Sequence, residues 1–466
     1  TVKSLLFKTI DHFYLIVNAQ SDSNAVLAQR IDPTDTTSLQ HPSLGRLPSA
    51  DVPYHFWQVC EPANAYLKNT WHLSATTLRC LEVGRMPVDE KQADVPPALY
   101  YVYLMQTNTA DADVYHPDLA WVNVDDLILV ETPFSRENIR AWLSTLDEEH
   151  PYRPDWYRPR WTSDVHQQFP DVMTFEQVRS WERSTIWRLQ HRVDDRSVTR
   201  YLKAVPPVFE HEPTLTSWLR TRFPQFTPEV IGTNRHRWLL MTDYGGQALN
   251  TIKSLDKWER AIREYGQLQV QLVAHNATLQ KLGIPERSLW WIDNHLNSLL
   301  LNLDGYVADW DKARKQRLHD SIPHLHRLLA RLSEDNIPNT LEHGDFWAGQ
   351  IILRRDKTLF TDWSDSTLTY PFFSLPFFMV DIQHELPDIP LETIQQTLTT
   401  AYLDAWTDYM PLVDLQSAMH SARVISPLFT ALRYHVDILP RMENKWEMIN
   451  MVGYNLGLLL KALDSA

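Results

Sequence analysis

The sequence predicts an α+β protein preceded by a separate small α/β module, and three observations carry that expectation. Strand-like segments crowd the stretch from about residue 173 to 243, ending in Arg237-Trp238-Leu239-Leu240-Met241. The pair Gly245-Gly246 then punctuates the chain, and beyond it apolar residues recur with a period near 3.6, the signature of amphipathic helices. Ahead of both lies a stretch dense in proline, with Pro151, Pro154, Pro159 and Pro170, which stops helices and removes ladder donors.

These signals give four segments: an N-terminal α/β module over 1–148, a proline-rich linker over 149–172, a β-rich part over 173–246 and a helical part over 247–466. In the module, Phe13-Tyr14-Leu15-Ile16-Val17 and the run 98–105 are rich in aromatic and β-branched residues and predict strands. Residues 62–68 and 135–143 predict helices, the second capped by Ser135. Trp156 and Trp161 imply that the linker is packed down. In the helical part, 258–268 and 315–332 are periodic, with Pro323 expected to kink or divide the second. The tail from 392 is helical, with an apolar helix over 446–463.

Composition narrows the functions. The chain has 466 residues and a formal net charge of −14, a surface that repels nucleic-acid backbones. Cys60 and Cys80 form no zinc pattern; one disulfide is open to them, with two free thiols the favoured state. No apolar run is long enough to span a membrane, and the apolar start around Leu5-Leu6-Phe7 is too short for a signal peptide. The expectation is a soluble cytoplasmic protein without membrane or nucleic-acid partners.

The chemistry concentrates in Leu341-Glu342-His343-Gly344-Asp345-Phe346-Trp347-Ala348-Gly349-Gln350, followed by Phe360-Thr361-Asp362-Trp363. This places a carboxylate in a tight turn, an amide five residues later and a second carboxylate after a short strand pair. Phosphoryl transfer from ATP uses such a set: one carboxylate receives the proton of the attacking hydroxyl, and an amide and another carboxylate hold magnesium over the phosphates. Upstream, Arg200-Tyr201-Leu202-Lys203-Ala204 is a strand pattern carrying one lysine, and Glu212 opens a helical run, with Glu210 as its neighbouring rival.

Taken in that order, residues 173–466 resemble the aminoglycoside phosphotransferase and choline kinase-like family of small-molecule kinases, whose fold is protein-kinase-like and two-lobed, a β-rich N-lobe and a helical C-lobe. The resemblance implies ATP and Mg2+ as cofactors and a small-molecule hydroxyl acceptor of the amino-sugar, sugar or amino-alcohol class. It implies Asp345 as the catalytic base, Gln350 and Asp362 as metal ligands, and Lys203 on the phosphates with Glu212 as its partner. Met241, Thr242, Asp243 and Tyr244 would form the adenine hinge, and Ser184 and Thr185 would donate to phosphate from the covering loop. His343 would brace the turn.

Three departures bear on this reading. Gln350 stands where the family has asparagine, the covering loop near 183–188 has no glycine, and Ser374 stands where the family often has a bracing aspartate. They leave open an alternative, a kinase-like protein of weak or absent activity that binds a nucleotide, metabolite or partner. The N-terminal module ends in Leu119-Ala120-Trp121-Val122-Asn123-Val124-Asp125-Asp126-Leu127, which is similar to the close of a Nudix hydrolase domain. The glutamate-rich string that Nudix chemistry needs is missing, and residues 62–71 carry no acidic side chain, so the likeness implies a catalytically silent module.

Overall fold

The computed structural model describes residues 11–19, 25–30, 45–46, 49–52, 56–86, 98–108, 116, 119–127, 129, 132–146, 148–158, 161–194, 196–234, 237–380 and 382–465. They fall into two compact units, Thr1–Pro206 and Pro207–Ala466.

The first unit opens with β1 (Asp11–Asn18), β2 (Ala25–Arg30), β3 (Gly45–Arg46), β4 (Ser49–Val52), α1 (Glu61–Trp71), β5 (Ala75–Arg85), β6 (Leu99–Thr107), β7 (Leu119–Asn123) and α2 (Arg136–Ser144). The sheet runs β3-β2-β1-β6-β5, with β4 also on β1 and β7 on β2. β1 and β6 pair in parallel, Leu15 opposite Tyr103. A parallel central pair is covered on both faces, which is why these strands read as continuous apolar runs. Alternation sorts them: Phe13, Leu15, Val17, Tyr101 and Tyr103 pack with Leu67 and Trp71 of α1. Tyr14, Ile16, Val102 and Leu104 pack with Ile139 and Leu143 of α2. Ser135 caps α2 in a reciprocal box with Asn138.

The proline-rich stretch is packed: Trp156 and Trp161 are buried, and α3 (Trp161–Gln168) forms within it. A three-strand meander follows, β8 (Val172–Trp181), β9 (Ser184–Val193) and β10 (Arg196–Ala204). Gln177 ties it to β5, its amide accepting from Thr77 N at 2.9 Å and donating to Thr77 O at 2.8 Å. Ser180 Oγ adds a bond to Leu78 O at 2.9 Å. Cys60 and Cys80 are buried free thiols.

The second unit begins with α4 (His211–Arg222), the hairpin of β11 (Val230–Asn234) and β12 (Trp238–Thr242), and β13 (Gln247–Ala248). Helices α5 (Leu255–Val273), α6 (Asn276–Lys281), α7 (Leu289–Leu301) and α8 (Lys312–Glu334) follow. Next come β14 (Thr340–Glu342), β15 (Ile351–Arg354), β16 (Lys357–Phe360) and β17 (Thr367–Thr369). The chain closes with α9 (Ser374–Phe378), α10 (Ile382–Glu385), α11 (Leu391–Leu403), α12 (Leu412–Arg433) and α13 (Asn450–Asp464).

The α+β class and its kinase-like element order are therefore as the sequence predicts. Two helix expectations need correction. Pro323 does not divide α8, which runs unbroken for 23 residues; the 319 carbonyl loses one bond, while Leu318, Leu325, Leu329 and Leu332 hold the helix through its buried face. The last helix starts at Asn450 rather than 446, because residues 445–447 form a 3₁₀ turn.

α5 buries a stripe of Trp258, Ala261, Ile262, Tyr265, Leu268 and Leu272. Its Gly266 meets α11 so closely that a Cβ would lie 2.9 Å from Tyr402 O. α12 is buried along its last ten residues and passes into a π-helical turn, Tyr434–Ile438. Such turns concentrate at functional sites, and here the turn ends the helix whose Arg433 reaches Gly344 and Asp365.

Candidate active site

Two loops of the second unit make the site. One joins β14 to β15 and carries His343, Gly344, Asp345 and Gln350; the other joins β16 to β17 and carries Thr361, Asp362, Trp363 and Asp365. β14 pairs with β17, Glu342 opposite Thr367, so both loops spring from one short ladder.

Side chains then stitch the loops together. His343 is fully buried, and its Nε2 donates to Thr361 O at 2.8 Å. A carbonyl can only accept, so the proton sits on Nε2. Its backbone N–H donates to the Tyr265 hydroxyl at 3.1 Å, and its ring lies 4.7 Å from that of Trp363. Gly344 has φ +81°, and a Cβ there would meet Asp365 O at 2.2 Å. Only glycine fits both the left-handed backbone and the contact. Gln350 O accepts from Thr361 N at 2.9 Å, and Gln350 Nε2 donates to Asp362 Oδ2 at 3.2 Å.

Asp362 is itself left-handed, φ +64°, a conformation that aspartate tolerates better than most residues and that collects at functional sites. Ser364 Oγ donates to its Oδ1 at 2.8 Å. Asp345 is half-buried in the turn. Two residues on, Trp347 is 44% exposed, and its ring lies across Gly349, where a Cβ would come within 2.1 Å of it.

Below the loops lies a buried charged layer. Arg433, at the end of α12, donates to Gly344 O at 2.8 Å and to Asp365 Oδ1 at 2.5 Å. Both side chains of that ion pair are 2% exposed. Arg287 Nε donates to Asp437 Oδ2 at 2.6 Å; burial lowers the Arg287 pKa, with Asp437 opposing. Glu342 is fully buried, its Oε2 accepting from Ser374 Oγ and from the Tyr265 hydroxyl. Burial raises its pKa. The aspartate absent at position 374 therefore does not leave the turn without a buried carboxylate, since Glu342 supplies one from the residue before His343.

His211 completes the layer. Burial, reinforced by the charges of Arg287 and Arg433, pushes its pKa from the ordinary 6.5 down to about 4, against the pull of Asp365 and a hydrogen bond to the Ser364 backbone. Between those values the unfolded chain binds the proton and the folded chain refuses it. Stability therefore falls as pH drops from 6.5 to 4, by about 3 kcal/mol from this group. Denaturant unfolding across that range is expected to show the slope, and His211→Gln to flatten it; an equal slope in the variant would refute the assignment.

The other expected residues are placed as follows. Lys203 is buried near the end of β10 in the first unit, and Glu212 is buried in the first turn of α4 in the second. Met241 and Thr242 end β12; Asp243 Oδ1 accepts from Gly245 N at 2.7 Å, shaping the turn after it. Tyr244 donates to Met241 Sδ at 3.7 Å. Thr185 does not fit the expected phosphate donor, and Ser184 stands beside it. They open β9 after the Glu182–Arg183 turn and are buried. Thr185 Oγ1 donates to Arg179 O at 3.0 Å, so its proton is used within the hairpin, whereas Ser184 Oγ is an acceptor there, from Trp181 Nε1 at 3.0 Å. Asp365 is the buried partner of Arg433. Helix α1 begins one residue before the acid-free segment, at Glu61, and that carboxylate faces Arg188 at 3.5 Å.

The donor set fits magnesium. Asp362 and Gln350 offer a carboxylate and an amide carbonyl on loops already bonded to each other, the hard oxygen ligands that the ion prefers. A half-turn of the Gln350 amide exchanges its N–H for Oε1 beside Asp362. Among the described residues no cluster of three or more His, Cys, Asp or Glu could hold a metal.

A carboxylate turn set against a second carboxylate turn and an amide is the kind of arrangement that phosphoryl transfer uses. The family model of the phosphotransferase enzyme family matches residues 174–412, just over half the chain. The chain belongs to that family, the aminoglycoside phosphotransferase and choline kinase-like group of small-molecule kinases. No curated protein is significantly similar to it. Among solved structures it is similar to a Plasmodium vivax ethanolamine kinase, 14% identical with a TM-score of 0.46 over 65% of this chain and 85% of that one. A choline kinase from Cryptosporidium parvum Iowa II is 11% identical, TM-score 0.45, over 67% and 92%. A choline/ethanolamine kinase family protein from Mesorhizobium loti is 12% identical, TM-score 0.44, over 65% and 94%.

Proposed function

We propose that this protein transfers the γ-phosphate of ATP to a hydroxyl group of a small molecule of the amino-sugar, sugar or amino-alcohol class. The observation that carries the reading is the locking of the Asp345 turn to the Asp362 turn by His343, Gln350 and Arg433. Asp345 receives the acceptor proton and aligns the hydroxyl. A loose transition state asks little of base strength and much of position, which the locked turn supports. Asp362 and Gln350 would hold magnesium, which supplies neutralisation of the phosphate charge when bound. The roles expected for Lys203, Glu212 and the 241–244 hinge belong to the same proposal. Trp347, two residues after Asp345 and 44% exposed, offers an aromatic surface suited to the C–H face of a sugar ring or to an ammonium group.

ATP consumption across amino sugars, sugars, choline-like compounds and amino alcohols tests the proposal, each with magnesium and with a chelator. Acceptor-stimulated turnover that vanishes with chelation is the expected result. Absence of turnover with every acceptor, together with no magnesium-dependent thermal shift by ATP, would overturn it. A magnesium-dependent shift without turnover would point to the weakly active binding protein instead.

A further inference from the structure

Tyr265 touches the catalytic turn on both sides of Asp345. Its hydroxyl accepts from the backbone N–H of His343 at 3.1 Å. Its ring stacks on that of Phe346, with centroids 4.0 Å apart. Asp345 lies between those two contacts along the chain. The tyrosine is fully buried on α5, and the Phe360 ring meets it edge-on at 5.4 Å. It therefore holds the turn from a long helix, outside the two loops that carry the chemistry.

Glu342 decides how that hydroxyl points. Its Oε2 accepts from Ser374 Oγ and from the Tyr265 hydroxyl, the latter at 3.3 Å. The two hydroxyls also lie 3.2 Å from each other. An ionised carboxylate only accepts. Both hydroxyl protons are drawn to it, and a Tyr265 lone pair is left for the His343 N–H. Without the carboxylate either hydroxyl can donate to the other, and that lone pair is no longer held toward His343. Burial of Glu342 is opposed by hydrogen bonds, those of Ser374 and Gln269 first, and not by a cation. Burying a carboxylate without a counter-charge is costly, and an apolar side chain of similar size would fill the site with less penalty. Filling the core alone does not account for a glutamate here.

We propose that Glu342 and Tyr265 form a positioning pair for the transfer: Glu342 orients the Tyr265 hydroxyl, and Tyr265 fixes the turn on either side of Asp345. Neither side chain touches the reacting atoms, and the inference rests on the role proposed above for Asp345. Position counts for more than base strength in such a transfer. A loosened turn therefore lowers kcat and leaves the KM values of ATP and acceptor little changed.

Three variants of the full chain test this by turnover, melting temperature and amide hydrogen exchange at 343–346. Tyr265→Phe keeps the ring stacking and removes the hydroxyl; kcat is expected to fall about 10-fold, the worth of one hydrogen bond, and exchange of the His343 amide to accelerate. Glu342→Leu is expected to lower kcat likewise while the melting temperature holds or rises, because a buried charge is gone. A merely structural residue would lose activity and stability together. Glu342→Leu combined with Ser374→Asp is expected to recover kcat. Leucine ends one bond short of the glutamate oxygens, and the aspartate reaches one bond past the serine hydroxyl that bonds to them. Parent kcat in Tyr265→Phe, a melting temperature that falls along with kcat in Glu342→Leu, or a double variant as slow as Glu342→Leu would overturn the proposal. Exchange keeps it distinct from the transfer itself. A parent that phosphorylates no acceptor refutes the transfer, whereas unchanged exchange of the His343 amide in Tyr265→Phe refutes the positioning pair whether or not the parent turns over.

Discussion

Asp345→Asn is expected to lower acceptor-stimulated ATP turnover by about 10²–10⁴-fold, the usual worth of a positioned general base. The substitution is nearly isosteric. Asparagine keeps an oxygen that can orient a hydroxyl, but its amide cannot accept the proton. The loss should therefore fall on kcat, with the KM of the acceptor changed little, the pattern of an interaction needed in the transition state rather than in the bound ground state. The turn itself should survive. His343, Gly344 and Gln350 hold it through bonds to Thr361 and Arg433 that do not involve the 345 side chain. The melting temperature of the variant should match the parent, which separates lost chemistry from lost fold. Turnover equal to the parent would remove Asp345 from the mechanism.

The contrast between these residues and those that hold them explains how much could be read from sequence. Asp345, Gln350 and Asp362 declare themselves because one short strand pair fixes their spacing, and Gly344 marks the turn by its own chemistry. Strand Thr358–Phe360 and the β10 lysine are legible for the same local reason. The supports are not. Arg433 lies 89 residues beyond Gly344, and Tyr265 lies 78 before His343. Neither has a local pattern distinct from an ordinary helical arginine or tyrosine; their meaning comes from the helix ends that α5 and α12 bring under the loops. His211 reads as any residue opening a helix until its burial among arginines is seen. Thr185 failed for the opposite reason: its residue type suits phosphate, but the β8–β9 hairpin buries its hydroxyl and takes its proton. Pro323 does not divide α8 because propensity is a local term, whereas the buried leucines, from Leu318 to Leu332, act over about four turns.

Arg433→Met should cost about 3–5 kcal/mol of stability, far more than loss of a surface ion pair. The variant strands the buried Asp365 carboxylate without its counter-charge, and leaves Gly344 O without its donor. The exposed pair Arg140–Asp125 supplies the internal comparison: Arg140→Met should cost far less, because water replaces what the side chain loses. Adding Asp365→Asn to Arg433→Met should recover much of the deficit, since the stranded charge, rather than the lost attraction, is the larger cost. Turnover should not recover in step. The neutral pair no longer clamps Gly344 to the Asp365 loop, and catalysis by position tolerates little looseness in the turn that carries Asp345. Urea unfolding of the two single variants and the double variant, alongside their turnover, separates the terms. A single-variant cost below about 1 kcal/mol, or full activity in the double variant, would show that Arg433 neither supports the fold at this point nor positions the catalytic turn.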